Sequence, residues 1–252
     1  MSIITVIKNN GLIGTALYVL EQKLGFRVPL PPRLRWLVAK KSEASYWDQF
    51  FASKGAAWPD DYAYRTDPRA KVTPDVGALL ADSETLNILD VGAGPLTILG
   101  KVFNGRKLNI RAVDPLADEY DAILERHGIT PIVRTEKMAG EELSQHLPVG
   151  HFDLVFAQNC IDHSVDPVRS ILEMLKVVKP GRYVYLKHSQ NEAVKENWVG
   201  LHQWNFAEEV GDFMVSSRTT RVNFTRDFAH IAETTCTVDK SIDWVNVKIR
   251  KA

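Results

Sequence analysis

Residues 86–115 constrain the fold most, because they combine two apolar strands with a small-residue turn and a terminal acid. Residues 87–91 (NILDV) are a short apolar run closed by Gly-Ala-Gly, which is typical of a buried strand that ends sharply. The apolar spacing of residues 96–102, with a proline in the first turn, predicts a helix after the turn. A second apolar run then predicts a strand that stops at Asp114.

The turn and the acids indicate the kind of ligand. Gly92 and Gly94 let a ligand approach backbone N–H groups closely, and Asp114, about 20 residues further on, is placed to accept both ribose hydroxyls. Asp90, at the end of the strand, repels a pyrophosphate but suits a cation that carries an ammonium and a sulfonium. Thr97 stands where the dinucleotide fingerprint requires its third glycine, which disfavours a nicotinamide-dependent oxidoreductase.

The run Asp90-Val91-Gly92-Ala93-Gly94-Pro95-Leu96 resembles motif I of the class I S-adenosylmethionine-dependent methyltransferases, although Leu96 replaces that family's usual last glycine. The resemblance implies S-adenosylmethionine as cofactor. It also implies binding residues after each strand, and an arginine in the N-terminal segment that pairs with the methionine carboxylate; a surface pair between Arg65 and Asp67 is the alternative for that arginine. The implied cofactor-binding residues are Asp90, Gly92, Gly94, Asp114, Pro115, Leu116, Glu136, Lys137, Met138, Gln158, Asn159 and Arg65.

Apolar runs and helical spacings continue to alternate beyond this motif. A nearly continuous apolar run at 152–157 predicts a strand buried on both faces of a parallel sheet. The pattern predicts an α/β fold: a doubly wound, mainly parallel, seven-stranded Rossmann-like sheet with a helical N-terminal extension. Its other predicted elements are a helix at 118–127, a third strand at 130–133, a helix at 166–178, a turn at 179–181, a fifth strand at 182–187 and an antiparallel pair at 234–238 and 244–249.

The chain divides into residues 1–70, a helical extension or lid, and residues 71–252, the cofactor-binding domain. Residues 43–51 suit a helix with an aromatic face, and the prolines and aromatic residues of 55–68 predict a loop over the cofactor. Residues 1–41 combine apolar residues with seven basic residues and one acid, so they predict either a peripheral membrane contact or a helix packed on the domain or on a partner.

The composition limits the partners and the cellular compartment that we expect for the protein. Lys+Arg and Asp+Glu both number 31, so no global field draws the chain to nucleic acid. The two cysteines have no disulfide or metal spacing, and the N-terminus shows no secretory pattern. We expect a cytoplasmic protein, in contact with the inner membrane face if the basic segment binds lipid.

Three histidines and an acid follow predicted strands at the edge where open α/β sheets bind ligands. His163 or His202 is predicted as the general base for a hydroxyl, with Asp162 orienting a histidine or binding a substrate hydroxyl, and His188 at the same rim. No spacing supports zinc, and no metal is predicted; a weak magnesium site on Asp162, His163 and His188 stays open.

The predicted reaction is methyl transfer to a hydroxyl of a sugar or surface-glycan precursor. The rim residues and the loop His202-Gln203-Trp204-Asn205, an apolar plate among hydrogen-bonding groups, carry this prediction. A small-metabolite or quinone-type methyltransferase and a non-catalytic cofactor-binding protein remain alternatives.

Overall fold

Seven strands form one sheet whose order along the sheet is β11-β12-β7-β6-β1-β4-β5. The computed structural model describes residues 12–17, 19–23, 28 and 30–252. Neighbours from β7 to β5 run parallel, whereas β12 runs antiparallel to both β7 and β11. The predicted seven-stranded, mainly parallel sheet is therefore confirmed. Its strands are β1 (Asn87–Val91), β4 (Asn109–Asp114), β5 (Thr135–Lys137), β6 (Phe152–Gln158), β7 (Val178–Ser189), β11 (Ala232–Asp239) and β12 (Trp244–Lys251).

Helices and short strands surround the sheet. Residues 12–17 are helical (α1), and Val19–Lys23 form a π-helix. A hairpin joins β2 (Val102–Phe103) to β3 (Arg106–Lys107), and a second sheet contains β8 (Asn205–Glu209), β9 (Asp212–Ser216) and β10 (Arg221–Asn223). The remaining helices are α2 (Pro32–Ala52), α3 (Pro59–Thr66), α4 (Pro74–Leu80), α5 (Ala117–Arg126), α6 (Leu143–His146), α7 (Pro167–Val177), α8 (Glu192–Lys195) and α9 (Phe224–Asp227), with 3₁₀ turns at Gly140–Glu142 and Ile161–His163.

Alternate residues of the central strands enter two separate cores, as expected for a sheet covered on both faces. Leu89 and Val155 pack with α7 and the second sheet, whereas Ile88 and Leu154 pack with α4. In the register of β1 and β6, Ile88 lies beside Leu154 and Leu89 beside Val155, so each core is continuous across the strands. The carboxyl ends of these parallel strands consequently meet along one edge.

Several predicted elements are wrong. Residues 96–101, predicted as helix, form a loop, and residues 102–107 form the β2–β3 hairpin. The third strand lies at Thr135–Lys137 and not at 130–133. Residues 59–66, predicted as loop, form helix α3 with Pro59 in its first turn, where a proline is tolerated. The predicted turn at 179–181 lies inside β7, where the pairing with β6 changes register.

The N-terminal extension packs on the domain through α2. Trp47, Phe50 and Phe51 share a buried cluster with Tyr120 of α5, and Lys40 pairs with Glu119 at 2.7 Å. Part of the predicted membrane-contact segment 1–41 lies outside the described residues, namely 1–11, 18, 24–27 and 29. Among the described helices, none combines the length and apolar character that crossing a membrane requires.

Candidate active site

One cavity of about 1150 Å³ opens at the carboxyl ends of the parallel strands, and α2 covers part of it. Eleven of the residues predicted from the sequence line this cavity, and they come from both the cofactor set and the catalytic set. They are Arg65, Asp90, Gly92, Gly94, Asp114, Pro115, Leu116, Gln158, Asn159, His163 and His202.

The turn after β1 is held by Asp114 at the end of β4. Asp114 Oδ2 accepts a hydrogen bond from the Gly94 backbone N–H at 3.2 Å, and Oδ1 accepts one from Leu116 at 2.8 Å. Burial raises the pKa of Asp114 to about 7. A buried carboxylate next to a glycine turn is the arrangement expected for the ribose of a nucleoside ligand, so this part of the site fits S-adenosylmethionine.

Both glycines of the turn are required by close packing. Gly92 and Gly94 have φ angles of +70° and +65°, which disfavour any residue with a side chain. A Cβ on Gly92 would lie 2.5 Å from Cys160 Sγ, and one on Gly94 would lie 3.0 Å from the Trp47 ring. The turn is thus enclosed by β6 on one side and by α2 on the other.

Asp90 is almost fully buried at the end of β1 and faces the same cavity. Its Oδ2 accepts a hydrogen bond of 2.6 Å from the Thr97 hydroxyl. Burial raises the pKa of Asp90 to about 6, against the opposing influence of Thr97, Arg65 and Lys101. This carboxyl suits the cationic end of the cofactor, as its position in the sequence predicts.

Arg65 reaches the cavity from α3, where it forms an ion pair with Asp61 and not the surface pair with Asp67. Its Nε lies 3.0 Å from an Asp61 oxygen, and its Nη1 donates to the Leu96 carbonyl. The guanidinium carbon lies 5.0 Å from the centre of a Trp47 ring. Arg65 therefore lines the same cavity as Asp90, in the segment predicted to cover the cofactor.

Three of the implied cofactor-binding residues do not line the cavity. Glu136 forms a bidentate pair with Arg111, Lys137 pairs with Asp118 at the surface, and Met138 is buried in the core. Residues 139–142, directly after them, line the cavity instead. Because the third strand lies several residues later than predicted, the chain reaches the cavity only at Ala139.

Asn159 connects the ends of two neighbouring strands. Its Oδ1 accepts the Ser189 backbone N–H at 3.0 Å, and its Nδ2 lies 3.3 Å from Glu192 Oε1. Its φ angle of +48° lies in the left-handed region, which asparagine tolerates better than most residues. Asn159 therefore positions Glu192 in the cavity wall, in addition to its own place beside Gln158.

Asp162, His163 and His202 converge at the other end of the cavity. His163 Nε2 lies 3.1 Å from His202 Nδ1, and Asp162 Oδ2 lies 3.4 Å from each of these two nitrogens. Asp162 is 2% exposed and does not line the cavity, whereas both histidines do. Burial opposes ionisation of Asp162, but the charge of His163 holds its pKa below the ordinary range.

His188, predicted at the same rim, lies behind Asp162. It is 1% exposed, its Nδ1 is 3.7 Å from Asp162 Oδ1, and its ring packs on Phe206. Burial lowers its pKa. The position lets His188 orient Asp162 but keeps it from touching an acceptor in the cavity, so a direct catalytic contact for His188 does not fit the structure.

Several residues of the cavity wall were not assigned to the site from the sequence, and three of them contact predicted site residues. Glu43 and Trp47 come from α2, and Glu43 Oε1 accepts a hydrogen bond of 2.9 Å from Trp47 Nε1. Glu43 Oε2 also lies 3.9 Å from His163 Nδ1, so α2 reaches both ends of the cavity. Glu192 was visible only as one of several polar residues after the fifth strand. Glu43 and Trp47 lie four residues apart in a segment that was predicted as a helix, and this spacing places them on the same face of that helix.

Comparisons with known proteins agree with this geometry. Residues 89–186 match the family model for a methyltransferase domain. An uncharacterized methyltransferase from Schizosaccharomyces pombe is 28% identical over 153 residues, which cover 56% of this chain and 53% of that protein. One from Mycolicibacterium gilvum is 27% identical over 206 residues, or 79% of this chain and 71% of that protein. The chain thus matches about half the length of the yeast relative.

Solved structures give more distant matches. An S-adenosylmethionine-dependent methyltransferase from Clostridium acetobutylicum aligns with a TM-score of 0.48 at 12% identity, over 82% of this chain and 99% of that chain. An amino pentose methyltransferase from Micromonospora echinaspora, bound to S-adenosylmethionine, aligns with a TM-score of 0.46 at 15% identity, over 70% of this chain and 89% of that chain.

Proposed function

We propose that this chain, whose residues 89–186 match a methyltransferase domain, is a class I S-adenosylmethionine-dependent methyltransferase that transfers the methyl group to a hydroxyl of a sugar or surface-glycan precursor. One observation supports the proposal most. The cofactor residues Asp90 and Asp114 and the polar pair His163 and His202 line the same cavity. A methyl donor held by the first pair and a hydroxyl held by the second would therefore meet within one enclosed space.

S-adenosylmethionine supplies an electrophilic methyl group on a sulfonium. The protein has to hold the acceptor oxygen in line behind that methyl carbon, and such alignment accounts for much of the acceleration in a displacement. Asp114 would hold the ribose, Asp90 the cationic end and Arg65 the carboxylate. These contacts fix one reactant, so the residues at the opposite end of the cavity are left to orient the other.

The hydroxyl loses its proton during the transfer, and His202 is better placed than His163 to accept it. His202 Nδ1 faces Asp162 Oδ2 and His163 Nε2, so a proton on Nδ1 has acceptors on both sides. Its Nε2 has no hydrogen-bond partner in the part of the chain that the structure describes. Asp162 would then fix the tautomer of His202 and leave the Nε2 lone pair free.

The test is a screen of purified protein with S-adenosylmethionine against sugars, lipid-linked glycan precursors, small metabolites and quinols. We expect methylated product from the sugar class, and the His202→Ala variant should lower turnover on the order of 10²–10⁴-fold while cofactor binding is kept. If methylated product forms only from small metabolites or quinols, the proposed sugar acceptor is wrong and that class takes its place. Cofactor binding without transfer to any acceptor would support a non-catalytic role.

We also propose that the N-terminal extension contacts a membrane surface that carries the acceptor. Leu34 and Leu37 of α2 are 46% and 51% exposed, and Leu12 and Ile13 are 77% and 69% exposed. Exposed apolar residues within a basic segment suit an anionic lipid surface. Co-flotation with anionic vesicles, lost when residues 1–30 are deleted, is the expected result; no flotation would remove this part of the proposal.

A further inference from the structure

The geometry of Asp162, His163 and His202 points to a binding site for one divalent transition-metal ion, and we propose that this ion binds the acceptor. The inference rests on the proposed function for the acceptor's place in the cavity. The ligand atoms would be Asp162 Oδ2, His163 Nε2 and His202 Nδ1, which lie close to one another at the floor of the acceptor end.

The separations of these three atoms are those of metal ligands. Two bonds of about 2.1 Å that meet at about 90–110° place their ligand atoms about 3.0–3.4 Å apart. The observed separations are 3.1 Å between the two nitrogens and 3.4 Å from Asp162 Oδ2 to each nitrogen. These separations therefore allow one ion to lie within bonding distance of all three atoms.

Hydrogen bonds within the described residues explain this arrangement less well. A single proton can bridge His163 Nε2 and His202 Nδ1, and the two 3.4 Å distances to Asp162 are long for charge-assisted hydrogen bonds. Asp162 Oδ1 is buried, and His188 Nδ1, at 3.7 Å, lies beyond hydrogen-bond distance of it. A buried carboxylate needs a positive charge beside it, and either the charge of His163 or a metal ion between the two histidines would supply that charge.

The three ligand residues come from two loops at the edge of the cavity. Asp162 and His163 belong to the 3₁₀ turn that follows β6, and His202 comes from the loop before β8. Asp162 lies below the cavity floor, whereas the two histidines line the cavity. An ion bound to the two histidines would therefore lie next to the cavity, where the acceptor would reach it.

Two imidazoles and one carboxylate select the kind of metal. Imidazole suits zinc, copper, iron and nickel, whereas magnesium, calcium and manganese prefer oxygen ligands. A three-residue set of two histidines and one carboxylate that leaves positions open is a known arrangement for such ions. The magnesium site that the sequence left open, on Asp162, His163 and His188, is replaced by a set that contains His202.

The metal would change how the acceptor is activated. Neighbouring hydroxyls of a sugar would fill the open positions, and coordination would lower the pKa of the hydroxyl to be methylated. Its O–H proton passes to solvent, its oxygen forms the bond to the methyl carbon, and the carbon–sulfur bond breaks to leave a neutral thioether. With the metal bound, the histidines are ligands, and His202 is no longer the base.

The test measures metal binding directly in the full-length chain after treatment with a chelator. Copper(II) binding followed by electron paramagnetic resonance, and cobalt binding followed by its visible absorption, should each give one ion per chain. The Asp162→Asn and His202→Asn variants should lose affinity by more than the roughly 10–100-fold that follows loss of a supporting hydrogen bond. His230→Asn, at an exposed site in the turn after α9, is the matched control and should bind as the natural protein does.

The fold of each variant is checked by its binding of S-adenosylhomocysteine, which uses the other end of the cavity. Absence of bound metal, or equal metal affinity in Asp162→Asn and the natural protein, would overturn the inference. Full methyl transfer in the presence of chelator would also overturn it and leave the imidazole base in place. Failure of every acceptor would count against the proposed function, while the two spectroscopic measurements would still decide the metal site.

Discussion

Thr97 Oγ1 donates a hydrogen bond of 2.6 Å to Asp90 Oδ2. Thr97 Oγ1 also accepts a hydrogen bond of 3.0 Å from the Leu99 backbone N–H. The threonine side chain thus connects the end of β1 to the loop that follows the glycine turn. A helix was predicted in this place. The loop instead turns back on the hydroxyl of Thr97, which stabilises the buried carboxyl of Asp90.

Replacing Thr97 with valine removes the donor and leaves the carboxyl of Asp90 buried without it. We expect the free energy of unfolding to fall by about 1–3 kcal/mol, measured in urea at pH 8. The loss should be smaller at pH 5, because burial raises the pKa of Asp90 to about 6 and a protonated carboxyl needs the donor less. Thr97→Ser keeps the hydroxyl and serves as the control. Equal stability of the valine variant and the natural protein would contradict this role.

The raised pKa of Asp114 leads us to expect that cofactor affinity depends on pH. Burial raises the pKa of its carboxyl to about 7, and nearby Glu43 and Asp90 act in the same direction. Ribose hydroxyls bind the ionised form, so cofactor binding below pH 7 has to displace a proton. Affinity for S-adenosylhomocysteine should therefore rise between pH 6 and 7, by up to about tenfold per pH unit, and level off by pH 8. Titration calorimetry in buffers of different ionisation enthalpy measures both the affinity and the released proton.

The Asp114→Asn variant shows how much of the pH dependence of cofactor affinity comes from the Asp114 carboxyl. It should weaken cofactor binding by about 1–3 kcal/mol at pH 8 and remove most of the pH dependence between 6 and 8. Asp90, with a pKa raised to about 6, would leave a residual dependence at the acid end. An unchanged pH profile in the variant would show that Asp114 is not the titrating group.

The sheet could be predicted from the sequence because each central strand is a short, mostly apolar segment that is followed by a turn or by polar residues. β1 has the predicted bounds of Asn87 and Val91, and β4 and β6 lie within one residue of theirs. Elements at the surface follow weaker patterns. The apolar residues of 96–102 have helical spacing, yet Leu96 and Leu99 enter different cores from a loop. The spacing of apolar residues cannot distinguish an amphipathic helix from a loop with buried residues, because buried residues of a loop can occur at any spacing.

Most of the site could be predicted because it lies at or just after strand ends, whereas Arg65 and His202 were indicated by the family resemblance and by a loop pattern. Asp114, His163 and Asn159 come just after strands that were placed correctly, so they line the cavity. Glu136 and Lys137 were placed by a strand that lies several residues later in the structure. The contact of Glu43 with His163 joins residues 120 positions apart and depends on how α2 packs on the domain. Local pattern contains no information on such packing.

Arg65 is expected to recognise the amino-acid end of the cofactor. Replacing it with glutamine should weaken binding of S-adenosylhomocysteine by roughly 10–100-fold, since a charged hydrogen bond to a carboxylate is lost. Binding of 5′-methylthioadenosine, which lacks that carboxylate, should stay the same. Calorimetry with the two ligands makes the comparison. Equal losses for both would mean that Arg65 acts through its contacts with Leu96 and Trp47 and not through the ligand.

Gly92 tests whether the turn depends on its close packing against Cys160. An alanine there meets two penalties, a φ angle of +70° and a Cβ only 2.5 Å from Cys160 Sγ. Gly128 has a similar φ of +65° with no atom within 4 Å of the position that a Cβ would occupy, so Gly128→Ala isolates the backbone penalty of about 1–2 kcal/mol. Gly92→Ala should exceed that by about 1–3 kcal/mol in urea unfolding and should also weaken cofactor binding, because the turn has to shift away from β6. Equal losses in the two variants would mean that Cys160 yields freely and that the turn tolerates a side chain.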